Sequence, residues 1–174
     1  MSQKERGEEK MKQVGQLFIG CFLLVLAGCN NRESVPIIAD TIYLGGDIIT
    51  MESDSATYVE AVAVKDRKII FAGSQEDAEK MKGENTVVNN LQGKTLIPGN
   101  IDMDPEAFEL DKKIAPYDAL KKITGNATHQ YSIKKGEFAN LVILEQNPLK
   151  IDPAKMEDIK LIEIIKEGKT IYKK

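Results

Sequence analysis

Three carboxylates stand close together in the middle of the chain, where side-chain chemistry is most plausible. Asp102, Asp104 and Glu106 follow the Pro98-Gly99 pair, which ends one strand and turns the chain away. Carboxylate oxygens at this spacing are the ligands that a hard cation such as Ca²⁺ prefers. Pro105 and the lack of a glycine in the loop favour the alternative, a solvated acidic linker. We therefore expect Asp104 and Glu106 to be weak metal candidates at most.

The single histidine, His129, is the other residue that could hold a metal. A lone histidine is more often a structural or surface residue than a ligand, so we expect no metal role for it. The neighbouring Asn126-Ala127-Thr128 triplet formally permits glycosylation. Its placement in a helical segment makes the match a coincidence.

The start of the chain has the pattern of an export signal. Both cysteines, Cys21 and Cys29, lie in this leader region, so a disulfide framework is not expected. Lys10 and Lys12 precede an apolar run from Val14 to Gly28, which is shorter than the ~20 residues of a spanning helix. The run ends Leu26-Ala27-Gly28-Cys29, which resembles the lipobox of bacterial lipoproteins. We expect cleavage before Cys29 and lipidation of its thiol; the alternative is a leader that stays attached as an anchor. Lipidation would place the protein outside the cytoplasm, on a membrane of the cell envelope.

Composition limits the remaining classes of function. The 174 residues suffice for one modest domain, and the net charge of -3 comes with no basic stripe along the sequence. Nucleic acid is therefore not an expected partner. Trp is absent and aromatic residues make up 6%, so a base-stacking platform or an aromatic sugar cleft is not expected.

The first half of the domain has the pattern of strands and tight turns. Residues 39–44 and 47–51 are β-rich and flank Gly45-Gly46, which predicts a hairpin. A second hairpin is predicted around Asp66-Arg67, where Arg67 replaces the expected glycine and strain of about 1 kcal/mol is plausible. Ser74 is expected to cap a short helix, with Asp77 at the capping-box position.

The later elements follow from similar signals. Residues 86–88 and 95–97 predict strands, and Gly93 predicts a turn that brings Leu91 close to Leu96. Pro116 predicts a helix start, and an apolar strand is expected from Leu141 to Leu144. Glu167-Gly168 predicts a closing hairpin.

These segments resemble, in their order along the chain, the amidohydrolase superfamily and especially its amidohydrolase-3 (YtcJ-like) members. Pro98-Gly99 to Glu106 aligns with the family motif Pro-Gly-Phe-Ile-Asp-x-His-x-His, so that Asp104 and Glu106 occupy the two His positions. Residues 115–127 resemble the helix that closes the family barrel. Residues 136–144 resemble the Gly-Lys-x-Ala-Asp-Leu-Val motif, with Asn140 in place of Asp.

The resemblance implies a composite fold and a metal-dependent reaction. In that family both chain ends build a small β-sandwich beside a (β/α)8 barrel that holds a divalent metal such as zinc and hydrolyses non-peptide C–N bonds. A barrel needs about 250 residues, whereas Ile101 and Phe138 are separated only by residues 102–137. We therefore expect no catalytic residues and no cofactor in this chain.

The expected organisation is a signal peptide (1–28), a polar tether (29–38) and a mixed α/β composite domain (39–174). The domain would comprise an N-terminal half (39–100), an acidic linker with a helix (101–138) and a C-terminal half (139–174). Three hypotheses follow: an internally deleted amidohydrolase that is inactive alone, a lipid-anchored non-catalytic binding module, or a gene product without a selected role. Self-association through the face left by the missing barrel is a possible partner interaction.

Overall fold

A computed structural model describes residues 37–99, 103–125 and 131–174. Residues 36–174 form one compact unit. No helix among the described residues is both long and apolar enough to cross a membrane. The elements, in chain order, are β1 (Thr41–Ile49), β2 (Tyr58–Lys65), β3 (Lys68–Gly73), α1 (Gln75–Glu79), β4 (Val87–Asn90), β5 (Thr95–Pro98), a 3-10 helix (Pro105–Ala107), α2 (Pro116–Ile123), β6 (Leu141–Leu144), a second 3-10 helix (Pro153–Asp158), β7 (Leu161–Lys166) and β8 (Lys169–Lys173).

All the strands belong to one mixed sheet with the order β3-β2-β1-β5-β6-β7-β8, and β4 also pairs with β1. The N-terminal half contributes the antiparallel set β3-β2-β1 and the parallel partner β5. The C-terminal half joins it where β6 pairs antiparallel with β5, from Thr95 opposite Leu144 to Pro98 opposite Leu141. The mixed α/β composite fold predicted from the sequence is therefore confirmed, and its described residues contain no barrel.

The sheet curls so that its two halves face each other like the layers of a sandwich. A central apolar cluster joins side chains of β2 and β3, such as Val64 and Ile69, to Leu141 and Ile165 on β6 and β7. Val142 and Leu144 point to the opposite face of β6, because successive residues of a strand alternate between faces. All of β6 is buried on both faces, which explains its continuous apolar sequence.

The acidic linker and the helix cover one outer face of the sheet. Leu110, Ala119 and Leu120 are buried against Val142 and Leu144, in an apolar cluster that also takes in β7. This face is therefore occupied by the chain's own residues 103–125. Self-association through the face left by a missing barrel stays a prediction.

The predicted hairpin around Gly45-Gly46 is wrong. Residues Thr41–Ile49 form one strand, and the glycines make an irregularity in its pairing with β2, between Leu44 and Ile48. β4 runs parallel to the first part of β1 and β5 runs parallel to its last part. The Leu91–Lys94 turn between them, with positive φ at Gln92 and Gly93, therefore passes close to the glycines.

Other local predictions are confirmed. Asp66 and Arg67 form the β2–β3 turn with φ of 47° and 70°, the left-handed region that costs a non-glycine residue about 1–2 kcal/mol. Ser74 caps α1, which ends at Glu79, by accepting the Asp77 N–H. Pro116 begins α2, and Glu167-Gly168 turns β7 into β8.

The close approach of the Leu91–Lys94 turn to β1 can be tested by substituting one glycine on each side, Gly46 on β1 and Gly93 in the turn. A Cβ atom at Gly46 would lie 2.2 Å from the Lys94 carbonyl oxygen and 2.7 Å from the Leu91 Cβ. Because backbone cannot move aside easily, Gly46→Ala should lower the free energy of unfolding by about 2–3 kcal/mol in denaturant titration.

Gly93→Ala is the matched control. Gly93 has φ of +80°, but no atom lies within 4 Å of the position that an added Cβ would take, so only backbone strain of about 1 kcal/mol is expected. Equal losses for the two variants would contradict the close approach at Gly46.

Candidate functional site

Of the predicted acidic candidates, Asp104 has a structural role in the described chain. The Asp104 carboxylate accepts the Glu106 N–H (3.0 Å) and caps the first 3-10 helix, which contains Glu106. A catalytic metal site needs about three protein ligands that converge. Among residues 37–99, 103–125 and 131–174, no three His, Cys, Asp or Glu side chains form such a group. Asp104 and Glu106 therefore belong to no such group within the described residues.

Some predicted residues lie outside the described part of the chain. They are Cys29, Asp102, His129 and the Asn126-Ala127-Thr128 triplet. Asn140, the residue that replaces the family Asp, is described. Its Oδ1 accepts the Glu167 N–H (2.9 Å), so it holds the β7–β8 turn. This role needs only an acceptor oxygen, which the amide supplies as well as a carboxylate would.

A cleft of about 630 Å³ opens beside the glycine irregularity of β1. Bare backbone of Gly45 and Gly46 forms part of its lining, and Tyr58 and Glu60 of β2 form another part. Gln75, at the start of α1, and Lys150, from the loop after β6, complete it. Its lining thus comes from both halves of the chain.

A polar network crosses this cleft and joins the two halves. Asn147 Nδ2 donates to Asp47 Oδ2 (2.8 Å) and to the Tyr58 hydroxyl (3.2 Å). Lys150 Nζ donates to Asp47 Oδ1 (2.7 Å) and lies 5.5 Å from the centre of the Tyr58 ring. Asn147 Oδ1 accepts the Leu149 N–H (2.9 Å), which fixes the loop. Asn147 itself is buried.

The electrostatics of the network keep both charged groups ionised. Partial burial by itself raises the pKa of Asp47, but hydrogen bonds from Lys150 and Asn147 and the positive charge of Lys150 outweigh it, so the pKa lies below its usual range. The hydrogen bond to Asp47 raises the pKa of Lys150. A general acid or base works best with a pKa near the working pH. The pair therefore suits charge pairing and ligand binding better than proton transfer.

A second buried polar group lies between β7 and β8. The Glu163 carboxylate accepts a hydrogen bond from the Thr170 hydroxyl (2.5 Å) and pairs with Lys173 Nζ (3.1 Å). The Glu163 carboxylate is thus satisfied by Thr170 and Lys173, which is the usual condition for a buried charge.

The Tyr43 hydroxyl is affected by the same region. Burial, with a smaller contribution from the Glu163 charge, raises the pKa of Tyr43 to about 12.

Sequence reasoning misses the Asp47 network because its members are about a hundred positions apart. The sequence pattern places Asp47 only in a strand, and Asn147-Pro148 only at a strand end. The signal available in the sequence is a polar residue, Asp47, directly after two glycines. The irregular strand pairing at that point is seen only in the structure. Nothing in the sequence alone pairs it with Lys150.

No protein-family profile matches the chain. A curated relative, the protein LONG AFTER FAR-RED 3 of Arabidopsis thaliana, is 33% identical over 66 residues, which cover 38% of this chain and 11% of that protein. The chain thus spans about a ninth of the length of the curated relative it matches.

The solved structures to which the chain is similar include two uncharacterised metal-dependent hydrolases and an adenosine deaminase. An uncharacterised metal-dependent hydrolase of Pyrococcus furiosus has a TM-score of 0.31 and 21% identity, over 34% of this chain and 13% of that one. A zinc-bound adenosine deaminase of Xanthomonas campestris has a TM-score of 0.30 and 24% identity, over 37% of this chain and 15% of that one. An uncharacterised metal-dependent hydrolase of Pyrococcus horikoshii has a TM-score of 0.29 and 22% identity, over 49% of this chain and 20% of that one. Similarity at this level and coverage carries no conclusion about activity.

The lowered pKa of Asp47 predicts an acid-sensitive contribution to stability. An unfolded Asp titrates near pH 3.9, so on acidification the unfolded state takes up the proton first. The stability given by Asp47 is therefore present above about pH 4 and is lost as the pH falls through the lower folded-state pKa. Asp47→Asn should show a shallower loss of the free energy of unfolding between about pH 5 and 2.

Lys150→Met provides the control for this prediction. In the wild-type background it should also make the acid dependence shallower, because it removes one cause of the lowered pKa. In the Asp47→Asn background it should add almost nothing to the pH dependence, which a double-mutant cycle measures. Independent, additive effects on the pH dependence would contradict the coupling.

Proposed function

We propose that residues 39–174 are the composite β domain of an amidohydrolase-like protein, and that this chain alone does not hydrolyse C–N bonds. One observation carries the proposal: β5 and β6 pair directly, so the two halves close into one sheet across residues 99–140. That segment is far shorter than the ~250 residues of a barrel. Residues 103–125 of this segment pack against the sheet through Leu110 and Leu120.

Metal content and hydrolysis measured together test this proposal. Protein from a zinc-supplemented culture should contain far less than one zinc per chain by mass spectrometry, since no convergent ligand set is found among the described residues. The same protein should leave N-acyl amino acids and cyclic amides intact.

The variants make the outcome specific to this chain. Stoichiometric zinc and hydrolysis that are both lost in Asp104→Ala or Glu106→Ala would falsify the proposal. Glu109→Ala changes an exposed acid of the same segment and controls for the loss of charge. Activity that survives all three substitutions would identify a contaminating enzyme.

The second part of the proposed function is that the domain acts as a lipid-anchored, non-catalytic module on a bacterial membrane. Its support is the lipobox-like sequence Leu26-Ala27-Gly28-Cys29, after an apolar run with a basic start. Stable anchoring takes more than one acyl chain, or one chain with a second signal. The polar residues after Cys29 would act as the tether.

Lipidation at Cys29 is tested by mass and by partition. The wild-type chain expressed in bacteria should lose residues 1–28, carry a diacylglyceryl mass on its N-terminal peptide and enter the detergent phase of a phase-separating detergent. Cys29→Ser should retain residues 1–28 and lack the lipid mass. Cys21→Ser, a matched change inside the leader, should behave as wild type. A lipid-free N-terminus in the wild type would rule out this anchor.

A further inference from the structure

Three segments that are distant in sequence meet at one end of the sheet. They are the β2–β3 turn, residues 134–138 and the β7–β8 turn. The Arg67 carbonyl accepts the Ala139 N–H (2.9 Å), and the Ala139 carbonyl accepts the Gly168 N–H (2.9 Å). Lys68 and Phe138 form an isolated β-bridge. We call the surface of residues 65–68, 134–138 and 166–169 the basic end.

The basic end concentrates positive charge in a chain whose net charge is -3. It carries seven cationic side chains, of which only Lys65 is half-buried and the others are exposed: Lys65, Arg67, Lys68, Lys134, Lys135, Lys166 and Lys169. The basic end contains three carboxylates, Asp66, Glu137 and Glu167, and a fourth, Asp40, lies beside it. Arg67 pairs with Glu167 (2.8 Å) and Lys65 with Asp40 (3.9 Å). With the described residues, Lys134, Lys135, Lys166 and Lys169 form no ion pair within 4.0 Å.

An aromatic ring lies among these cations. Phe138 is 43% exposed, and both Lys68 Nζ (5.1 Å) and the Arg67 guanidinium carbon (5.9 Å) lie near its ring centre. An apolar ring surrounded by cations matches the two layers of a membrane interface, in which acyl chains lie beneath charged headgroups.

The chain also enters the domain at this end. The Ile38 carbonyl accepts a hydrogen bond from Lys65 Nζ (2.9 Å), and Asp40 Oδ2 accepts the Asp66 N–H (2.8 Å). Ile37 lies eight residue steps after Cys29, and a chain of that length spans at most about 29 Å. A lipid on Cys29 would therefore tether the domain by the end that carries the cations.

We propose that the basic end docks on an anionic phospholipid surface and orients the domain on the membrane, an inference that rests on the proposed anchor at Cys29. Each Lys or Arg close to such a surface strengthens binding about fivefold. The attraction falls off within about 8 Å at physiological salt. The cations of the basic end gain this attraction only when that end faces the membrane directly, so docking fixes the orientation of the domain.

Lipid-bound quenchers measure this orientation on the full lipidated protein. Because Cys21 leaves with the leader and the Cys29 thiol is acylated, a single introduced cysteine carries the fluorophore. Lys135→Cys reports on the basic end. Ser55→Cys, in the exposed loop after β1, reports on the opposite end of the sheet. Vesicles contain either phosphatidylcholine alone or added phosphatidylglycerol, with a headgroup quencher.

The label at position 135 should be quenched strongly with phosphatidylglycerol, weakly with phosphatidylcholine alone, and weakly again in high salt. The label at position 55 should be quenched weakly in every case. Equal quenching at the two positions, or quenching that does not depend on the anionic lipid, would overturn the proposal.

Charge reversal separates the basic end from net charge. Lys134→Glu, Lys166→Glu and Lys169→Glu combined should reduce the phosphatidylglycerol-dependent quenching at position 135 at least about fivefold. Lys113→Glu, Lys155→Glu and Lys160→Glu change the same charge at exposed positions elsewhere and should leave it unchanged. Circular dichroism shows whether each variant is folded. If the two triple variants behave alike, the basic end has no special role.

Failure of the anchor and failure of docking are distinguishable. The mass of the N-terminal peptide shows whether Cys29 carries a lipid before any quenching is measured. If the lipid is absent, the labels are placed in a Cys21→Ser, Cys29→Ser background. The retained apolar leader then attaches the chain to vesicles, and each single label still reports the orientation. If the basic end instead binds RNA or heparin and the position-135 label stays unquenched on anionic vesicles, the surface is a polyanion site and membrane docking is wrong.

Discussion

The pairing of β5 with β6 is the constraint on which the rest of this structure depends. It joins the N-terminal half, whose last strand is β5, to the C-terminal half, whose first strand is β6, and it makes one sheet of them. Both strands are buried throughout, so the ladder is formed at the centre of the apolar core. Separating them would expose buried apolar side chains and leave the backbone groups that join β5 to β6 without partners, which is costly in a buried position.

Two smaller contacts hold the same halves together at opposite ends. At one end, Asn147 and Lys150 reach Asp47 across the cleft beside β1. At the other end, the strained Arg67 is held by Glu167 and by the Ala139 N–H. A non-glycine residue with positive φ persists when its surroundings fix it. The cost of the β2–β3 turn is thus offset by contacts that its own carbonyl and guanidinium make with the C-terminal half.

The arrangement of charge also follows from this closure. Along the sequence the lysines alternate with carboxylates, a pattern typical of an ordinary solvated surface. Folding brings the β2–β3 turn, residues 134–138 and the β7–β8 turn to one end, and each contributes cations. A net charge of -3 therefore describes the whole chain but not the surface that a partner meets.

The sequence by itself determined the features that depend on neighbouring residues: the Asp66-Arg67 turn, the Ser74 cap, the helix start at Pro116, the apolar strand from Leu141 and the closing hairpin. It could not determine what Gly45-Gly46 does, because a glycine pair permits either a hairpin turn or an irregular strand, and the choice depends on the distant Leu91–Lys94 turn. Likewise the Asp47–Asn147–Lys150 network and the basic end exist only after β6 pairs with β5. Their members are separated by up to about a hundred residues, and only long-range backbone pairing brings them within hydrogen-bonding or Coulombic distance.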